Sequence, residues 1–219
     1  MAAASQSMQK SEFRPLSFDA VAEQADSHGS AVDVWRLRAV DWRPVLALYA
    51  GVPLAELRLA VDTHGKPRLA APSSPRFNLS HCGDVVLLAI GRGVELGVDV
   101  EVLRPRPRAL QLAQRYFTAD EAAALAALPE DVRQQAFYRL WTAKEAVLKA
   151  LGRGLAFGLN RVGFRLETAG TVVSPQDFAH DAAPASAWML HALAPAPGYL
   201  GALAWRGGPR TIRRFALSQ

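Results

Sequence analysis

Half of the 219 residues are hydrophobic, which is enough to bury a core as one domain or as two closely packed halves. No stretch approaches the roughly 20 apolar residues of a membrane span, the start lacks the apolar core of a secretory signal, and Cys82 is the only cysteine, so we expect a cytoplasmic protein without a disulfide. The net charge of +5 comes from arginines that are scattered except at 104–108 and 210–214 and lack interleaved aromatic residues, and it would attract an acidic protein or a small polyanion as well as nucleic acid. We expect neither nucleic acid nor a membrane as a partner.

The predicted elements of the first half alternate between strands and helices. Residues 1–30 are polar and lack periodicity, so we expect a flexible arm there. The residues up to 91 are predicted to form a strand, a helix, a strand, a loop and a buried strand. These segments are VDVWRLRAV (32–40), WRPVLALYAGV (42–52), ELRLAV (56–61), APSSPRFNLSHCGD (71–84) and VVLLAIG (85–91).

The second half also mixes strands with helices. GVELGVDVEVL (93–103) predicts a strand, TADEAAALAAL (118–128) a helix capped by Thr118, and a longer helix follows from about 132 to 151. Four strand-like pieces come after it: VGFRLE, AWMLHALA, GYLGALAWR and TIRRFAL. Each half therefore combines both element types, which predicts an α+β fold of two related lobes, 31–92 and 93–219.

Two carboxylates stand two residues apart in the strand GVDVE. Strand alternation places Asp99 and Glu101 on one face and the neighbouring valines on the other. The two side chains repel one another unless a cation lies between them, and one or two carboxylates suit Mg²⁺ when substrate phosphates complete its shell. A solvated strand edge is the alternative interpretation.

The long helix carries charges within its apolar stripe. Lys144 falls in the middle of the stripe, while Trp141, Glu145 and Lys149 follow one row along its edge at i, i+4 and i+8. Only four of the 25 basic residues are lysines, and two of them are on this helix. A carboxylate and an ammonium in that row can face a metal ion and a phosphate. A surface pair of Glu145 and Lys149 beside an extended Lys144 is the alternative.

A serine and a histidine precede the buried strand in FNLSHCG. Ser80 and His81 can donate hydrogen bonds to phosphate oxygens. The G-x-S-x-G elbow is absent, which argues against Ser80 as a hydrolase nucleophile. Lys66, in the turn HGKP, is a candidate nucleotide contact. Neither a P-loop nor a dinucleotide-binding fingerprint occurs in the chain.

Taken together and in this order, these segments resemble the signature of the surfactin-type 4′-phosphopantetheinyl transferases. The matching pieces are GKP, FNLSHCGD, GVDVE, RYFTADE and FYRLWTAKEAVLKALGRGL, which lie between about residues 64 and 155. Their combination is specific, although each piece alone is not. The resemblance implies the α+β fold of that family, with two pseudo-symmetric lobes that each pack a small sheet on helices. It also implies a monomer that binds coenzyme A in the cleft between the lobes.

The activity that the resemblance implies is transfer of the 4′-phosphopantetheine moiety of coenzyme A to a serine of an apo acyl or peptidyl carrier protein. The reaction uses Mg²⁺, with Mn²⁺ as an alternative, and releases adenosine 3′,5′-bisphosphate. Which carrier is served, in fatty acid, polyketide or nonribosomal peptide biosynthesis, stays open.

The resemblance also assigns roles to individual residues through the matching motifs. The assigned residues are Asp99, Glu101 and Glu145 as metal ligands, Lys149 as the pyrophosphate contact, Lys144 as its companion, Ser80 and His81 as contacts to the coenzyme A phosphates, Lys66 as a contact near the adenine nucleotide, and Glu121 as a further acidic residue of the catalytic region. Glu145 is the first choice for the base that deprotonates the carrier serine, and Glu121 is the second.

The chain departs from the family pattern in its first half. Family members usually carry a longer helical segment with a basic run that helps to hold the 3′-phosphate, whereas only RAVDWRPVLALYAG (38–51) is present here. We therefore expect a shortened N-terminal lobe, with Arg36, Arg38 or Arg43 as substitute contacts. Two alternatives stay open: a catalytically impaired module that binds coenzyme A or a carrier protein, and another metal-dependent phosphate-ester enzyme, such as a phosphodiesterase.

Overall fold

The structure is a computed structural model that describes residues 13–27, 29–71, 74–167, 170 and 172–218, without the side chain of Val172. Within them the chain forms twelve strands and five α-helices, so the predicted α+β class is confirmed. None of the described helices is both long and apolar enough to cross a membrane. The strands are β1 (Arg14–Leu16), β2 (Val32–Leu37), β3 (Leu59–Val61), β4 (Pro67–Leu69), β5 (Arg76–Cys82), β6 (Val85–Gly91), β7 (Leu96–Val102), β8 (Val162–Glu167), β9 (Val172–Phe178), β10 (Trp188–Leu193), β11 (Tyr199–Arg206) and β12 (Ile212–Leu217). The helices are α1 (Asp19–Asp26), α2 (Trp42–Ala50), α3 (Ala109–Tyr116), α4 (Ala119–Ala127) and α5 (Glu130–Leu151).

The largest sheet joins strands from both ends of the described chain. Its strand order is β1-β12-β2-β6-β5, and β12 runs parallel to both of its neighbours. Arg213 in β12 forms a two-pronged ion pair with the buried carboxylate of Asp33 in β2, with Nε–Oδ1 and Nη2–Oδ2 distances of 2.7 Å. The predicted ranges 31–92 and 93–219 therefore share a sheet, because the last strand of the second range lies inside the sheet of the first.

Part of the predicted flexible arm, residues 1–30, has regular structure. It contains β1 and α1, and Phe13 and Val21 are buried. Val21 packs with Trp35 and Leu88 in the core between the helices α1 and α2 and the five-stranded sheet. The arm has few apolar residues, and the strand that pairs with β1 comes from the far end of the sequence, so local periodicity gives no sign of this order. Residues 1–12 lie outside the described residues.

Several element boundaries agree with the sequence predictions. α2 ends before Gly51, whose φ of 68° is in the left-handed region that glycine tolerates. α4 begins with a capping box in which Thr118 and Glu121 each bond the backbone of the other. The segment 71–84 was predicted as a loop, but it contains β5, which forms a hairpin with β6. Its Pro and Ser content marks only the start of the segment, and the alternating residues after it form the strand.

A line of side chains from β5 joins the two main sheets. β7 belongs to a three-stranded sheet of order β10-β11-β7, in which it is an edge strand, as β5 is in its own sheet. Three alternate side chains of β5 each accept a hydrogen bond from a backbone N–H group of β7. The pairs are Val98 N to Asn78 Oδ1 at 2.8 Å, Val100 N to Ser80 Oγ at 3.3 Å and Val102 N to Cys82 Sγ at 3.4 Å. These contacts satisfy edge amides and fix the position of β7 relative to β5.

Helix α5 packs across the three-stranded sheet, and it approaches the backbone of β7 very closely at Gly97. A Cβ atom on Gly97 would lie 2.1 Å from the carbonyl oxygen of Ala146 and 2.4 Å from the amide nitrogen of Ala150. Strand alternation puts Asp99 and Glu101 on the same face as Gly97. The close contact therefore brings these two carboxylates up to the helix.

Replacement of Gly97 by alanine is expected to destabilise the fold and to disturb the carboxylates. The added methyl group meets backbone atoms of α5, which cannot rotate away, so the helix has to move at a cost of about 1–3 kcal/mol. Urea denaturation measures this loss. Gly208→Ala is the matched control, because a Cβ atom at Gly208 meets nothing within 4 Å. Equal stability of the two variants would contradict the prediction.

Candidate active site

One row of side chains on α5 reaches the surface. Between Leu140 and Ala150 every residue of the helix is buried except Trp141, Glu145 and Lys149, which are half-buried. These three residues form the row at i, i+4 and i+8 that the sequence predicts. Between Leu140 and Ala150, a ligand can therefore reach the charged groups of this helix only along that row.

Lys149 and Asp99 form the centre of the site. Lys149 Nζ donates to Asp99 Oδ1 at 2.7 Å, to Ser80 Oγ at 2.9 Å and to the Val98 carbonyl oxygen at 3.3 Å. Ser80 Oγ in turn donates to Asp99 Oδ1 at 2.9 Å. Asp99 and Ser80 are buried, whereas the side chain of Lys149 is 25% exposed. The structure therefore brings three of the predicted site residues into direct contact, from β5, β7 and α5.

Three carboxylates influence one another at this centre. Burial raises the pKa of Asp99, and Lys149 opposes that rise. Burial also raises the pKa of Glu101, and the negative charge of Asp99 raises it further. Glu145 has a pKa raised to about 7 by burial, by Asp99 and by Glu101, against the opposing effect of Lys149. Burial is the main cause of all three raised pKa values, and repulsion from neighbouring carboxylates adds to it at Glu101 and Glu145.

The residues present fit a divalent cation bound together with a phosphate ligand. Asp99 Oδ2 is buried and has no hydrogen-bond partner among the described residues, so it has an unused lone pair, and the charge of Asp99 raises the pKa of Glu101 and of Glu145. In the described ranges, no three His, Cys, Asp or Glu side chains are close enough to form a metal cluster by themselves. Mg²⁺ usually takes one or two carboxylates and completes its octahedral shell with water and substrate phosphates, which agrees with this open arrangement.

The raised pKa of Glu145 predicts a pH dependence of stability in the metal-free protein. The value is about 7 in the folded chain against 4.5 ordinarily, so between these values the folded state binds more protons than the unfolded state. Stability then falls as the pH rises from about 4.5 to about 7. We expect the unfolding temperature, measured with a chelator present, to fall less steeply over this range in Glu145→Gln than in the unchanged chain. Parallel slopes would contradict the assignment.

Glu121 and Lys144 contact each other rather than the carboxylates of β7. Lys144 is fully buried, with Nζ 2.7 Å from Glu121 Oε2, 2.9 Å from the Leu159 carbonyl oxygen and 2.6 Å from that of Val162. Glu121 also accepts hydrogen bonds from the amides of Thr118 and Phe164, both at 2.8 Å. Burial lowers the pKa of Lys144 to about 8, although Glu121 acts in the opposite direction.

Of the two roles predicted for Lys144, holding the site or holding the ligand, these contacts favour the first, and the role of Glu121 as a base stays a prediction. The three ammonium hydrogens of Lys144 have three protein acceptors, and the carboxylate of Glu121 accepts three hydrogen bonds. Both side chains are fully buried, so neither is in reach of a substrate in this structure. The pair ties α5 to the start of α4 and to β8. Its geometry is that of a positioning pair, and Glu145 stays the first choice for the base.

Lys66 is also held by the protein in this structure. It is 7% exposed, and Nζ donates to Glu95 Oε2 at 3.2 Å and to the carbonyl oxygens of Leu96 at 3.1 Å and Ala150 at 3.0 Å. These bonds link the β3–β4 hairpin to the start of β7 and the end of α5. The structure thus gives Lys66 a positioning role at the base of the site, and its contact to a nucleotide stays a prediction.

The other predicted phosphate contacts differ in accessibility. His81 is exposed, since it points away from the buried Ser80 on the same strand. Arg38 pairs with Asp41 at 2.9 Å, and Arg36 donates to the Pro195 carbonyl oxygen at 3.1 Å. Two of the arginines expected to replace the missing basic segment are thus engaged in other contacts.

Sequence reasoning did not identify three residues around the site. Asn78 and Cys82 hold β7 beside Ser80, and the Cys82 thiol lies 3.7 Å from Glu101 Oε2. The positive charge of Arg106 opposes the rise in the pKa of Glu101 that burial and Asp99 cause. The alternation of Asn78, Ser80 and Cys82 in FNLSHC was the available signal for the first two, because a strand turns these three side chains to one face.

The chain is similar to known proteins of one family. The model of the family described as the 4′-phosphopantetheinyl transferase superfamily matches residues 95–202, a range that contains Asp99, Glu101, Glu145 and Lys149. The 4′-phosphopantetheinyl transferase HetI of Nostoc sp. is 35% identical over 168 residues, which cover 75% of this chain and 67% of the relative. The 4′-phosphopantetheinyl transferase Sfp of Bacillus subtilis is 31% identical over 130 residues, 59% of this chain and 57% of the relative.

A third relative matches more strongly over a shorter stretch. A putative 4′-phosphopantetheinyl transferase of Synechocystis sp. is 41% identical over 109 residues, which cover 49% of this chain and 44% of the relative. The matched part of the chain thus spans between about half and two thirds of the length of these relatives.

Proposed function

Since the chain belongs to the 4′-phosphopantetheinyl transferase superfamily, we propose that it transfers 4′-phosphopantetheine from coenzyme A to a serine of an apo carrier protein, with Mg²⁺ bound, and releases adenosine 3′,5′-bisphosphate. One observation supports this proposal most directly. The ammonium of Lys149 and the carboxylate of Asp99 meet at 2.7 Å on adjoining elements, so a cation that reaches solvent stands beside an anionic site with an unused oxygen. Phosphoryl transfer depends on such placement of opposite charges.

Each residue of the site has its own role in the proposed reaction. Asp99, Glu101 and Glu145 would hold Mg²⁺, which supplies positive charge at the pyrophosphate when it is bound. Lys149 reaches solvent and can contact the pyrophosphate of coenzyme A, where it stabilises the negative charge that builds up on the leaving group. Ser80 keeps Asp99 and Lys149 in place through its two hydrogen bonds.

The proton of the carrier serine needs an acceptor. Glu145 is the proposed base because its side chain is half-buried on the accessible row of α5, whereas Asp99 and Glu121 are both buried. The serine oxygen forms a bond to the phosphorus next to the pantetheine arm, the bond from that phosphorus to the bridging oxygen breaks, and adenosine 3′,5′-bisphosphate leaves with the electron pair. The serine proton passes to Glu145.

The proposed carrier partner is acidic, and the chain offers it a basic segment close to the site. Arg104, Arg106 and Arg108 lie just past the end of β7, and the first and third of them are exposed. Complementary charge of this kind speeds the encounter of two proteins and orients them.

Intact-protein mass spectrometry of apo carrier proteins tests the proposal. Carriers incubated with the chain, coenzyme A and Mg²⁺ are expected to gain one phosphopantetheine, and Lys149→Ala is expected to abolish that gain. Binding of coenzyme A without any gain on a panel of carriers would favour the impaired binding module instead. Cleavage of coenzyme A without modification of a carrier would favour a different phosphate-ester enzyme.

A further inference from the structure

A cavity of about 200 Å³ opens between the middle of α5 and the three-stranded sheet. Along α5 the cavity lies on the N-terminal side of the close contact at Gly97, next to the small side chains of Ala143 and Ala202. The main lining side chains are Arg139, Thr142 and Ala143 from α5 and Leu190, Leu200 and Ala202 from the sheet. Leu200 and Ala202 pair across the strands with Glu101 and Asp99, so the cavity begins one strand away from the carboxylates.

Most side chains of the cavity wall are aliphatic, and the polar side chains in it are those of Thr142 and Arg139. The hydroxyl of Thr142 is bonded within its own helix, to the carbonyl oxygens of Tyr138 at 3.0 Å and Arg139 at 3.2 Å. The hydroxyl hydrogen is therefore already used. The guanidinium of Arg139 is left as the polar group that the wall can offer to a ligand as a hydrogen-bond donor.

The positive charge of the Arg139 guanidinium is not balanced by a carboxylate among the described residues. Its Nε atom is buried and has no hydrogen-bond partner among the described residues. Burial lowers the pKa of this guanidinium, and no described carboxylate opposes that effect. A partly buried cation without a counterion is costly, and an anion beside it removes the cost. The cavity thus combines an apolar volume with an unmatched positive charge at its wall.

We propose that this cavity binds a monocarboxylate with a compact apolar tail, its carboxylate on Arg139 and its tail among Leu190, Leu200 and Ala202. The size is adequate, because an engineered apolar cavity of about 150 Å³ in another protein binds benzene, so about 200 Å³ accepts a tail of about six to eight carbons. A neutral chain with amide groups, such as pantetheine, fits less well: it leaves the guanidinium without an anion and places its amides against aliphatic side chains. The proposal concerns binding and does not depend on the transfer reaction.

Titration of the chain with octanoate, followed by calorimetry and by the unfolding temperature, tests this site. Octanoate is expected to bind and to raise the unfolding temperature, whereas octan-1-ol binds more weakly because it lacks the charge. Arg139→Gln is expected to weaken octanoate binding about tenfold or more, since a charge-assisted hydrogen bond is lost. Ala192→Leu, at an exposed position of the lining, is expected to weaken binding by filling space.

The controls separate a binding role of Arg139 from a structural one. Arg165→Gln removes an exposed arginine outside the cavity lining and is expected to leave octanoate binding unchanged. Arg139→Gln without ligand is expected to unfold at the same or a higher temperature, because an uncompensated charge has been removed. Absence of octanoate binding, equal binding by Arg139→Gln, or pantetheine binding as tight as that of octanoate would each overturn the proposal.

Discussion

Replacement of Lys144 by methionine is expected to lower the free energy of unfolding by about 3–5 kcal/mol, the largest effect on stability that we predict. The side chain is fully buried, and its ammonium lies 2.7 Å from Glu121. Methionine fills a similar volume but leaves the carboxylate charged in the interior, next to the rings of Phe117 and Phe164 that flank the ammonium. Urea denaturation monitored by tryptophan fluorescence and by circular dichroism measures the loss.

The double variant Lys144→Met, Glu121→Gln distinguishes a positioning pair from a ligand contact. Removal of the second charge is expected to restore most of the lost stability, because no isolated charge then stays buried. The double variant is also expected to bind coenzyme A within a few-fold of the unchanged chain. Stability of Lys144→Met within about 1 kcal/mol of the unchanged chain, as for an exposed ion pair, would contradict the assignment.

Replacement of Asp99 by asparagine is expected to have the largest effect on activity. We expect transfer to fall at least about a hundredfold, as is typical when one group that stabilises transition-state charge is removed. Asparagine retains an oxygen that can accept the hydrogen bonds of Ser80 and Lys149, so the variant tests the charge rather than the shape. Initial rates from the mass-spectrometric transfer assay measure the effect.

The stability of Asp99→Asn is not expected to fall with its activity. Burial raises the pKa of Asp99, so its charge is unfavourable in the metal-free fold. The unfolding temperature of Asp99→Asn with a chelator present is therefore expected to equal or exceed that of the unchanged chain, while stabilisation by added Mg²⁺ is lost. Asp84→Asn, at an exposed position of the β5–β6 turn, is the matched control. Retention of Mg²⁺ stabilisation in Asp99→Asn would contradict a metal site at this carboxylate.

The features that the sequence predicts well are those set by local periodicity. The row of Trp141, Glu145 and Lys149 follows from 3.6 residues per turn, and the shared face of Asp99 and Glu101 follows from strand alternation. Both patterns are present in the structure, and the contact of Lys149 with Asp99 joins them.

The features that the sequence does not predict depend on partners far along the chain. Lys144 lies in an apolar stripe, but its partner Glu121 is on another helix, so its burial as an ion pair is not visible in either helix alone. Asn78 and Cys82 act by accepting hydrogen bonds from backbone amides of β7, a strand that belongs to another sheet, so their own segment does not show this role. Helix α3 and strand β9 are also absent from the sequence predictions. Ala109, Leu112, Ala113 and Tyr116 of α3 do follow helical spacing, but over two turns only, and β9 has a proline at its centre.

The place of β12 in the five-stranded sheet has a consequence for the order of events on the ribosome. The ion pair between Asp33 and Arg213 joins residues 180 positions apart, and β12 lies between β1 and β2. While the chain is being made, β2 pairs with β6 on one side but has an unpaired edge on the other until β12 has emerged. A nascent chain that stops before β12 therefore presents an open strand edge to its neighbours, which is the kind of surface that chaperones bind and that aggregates in their absence.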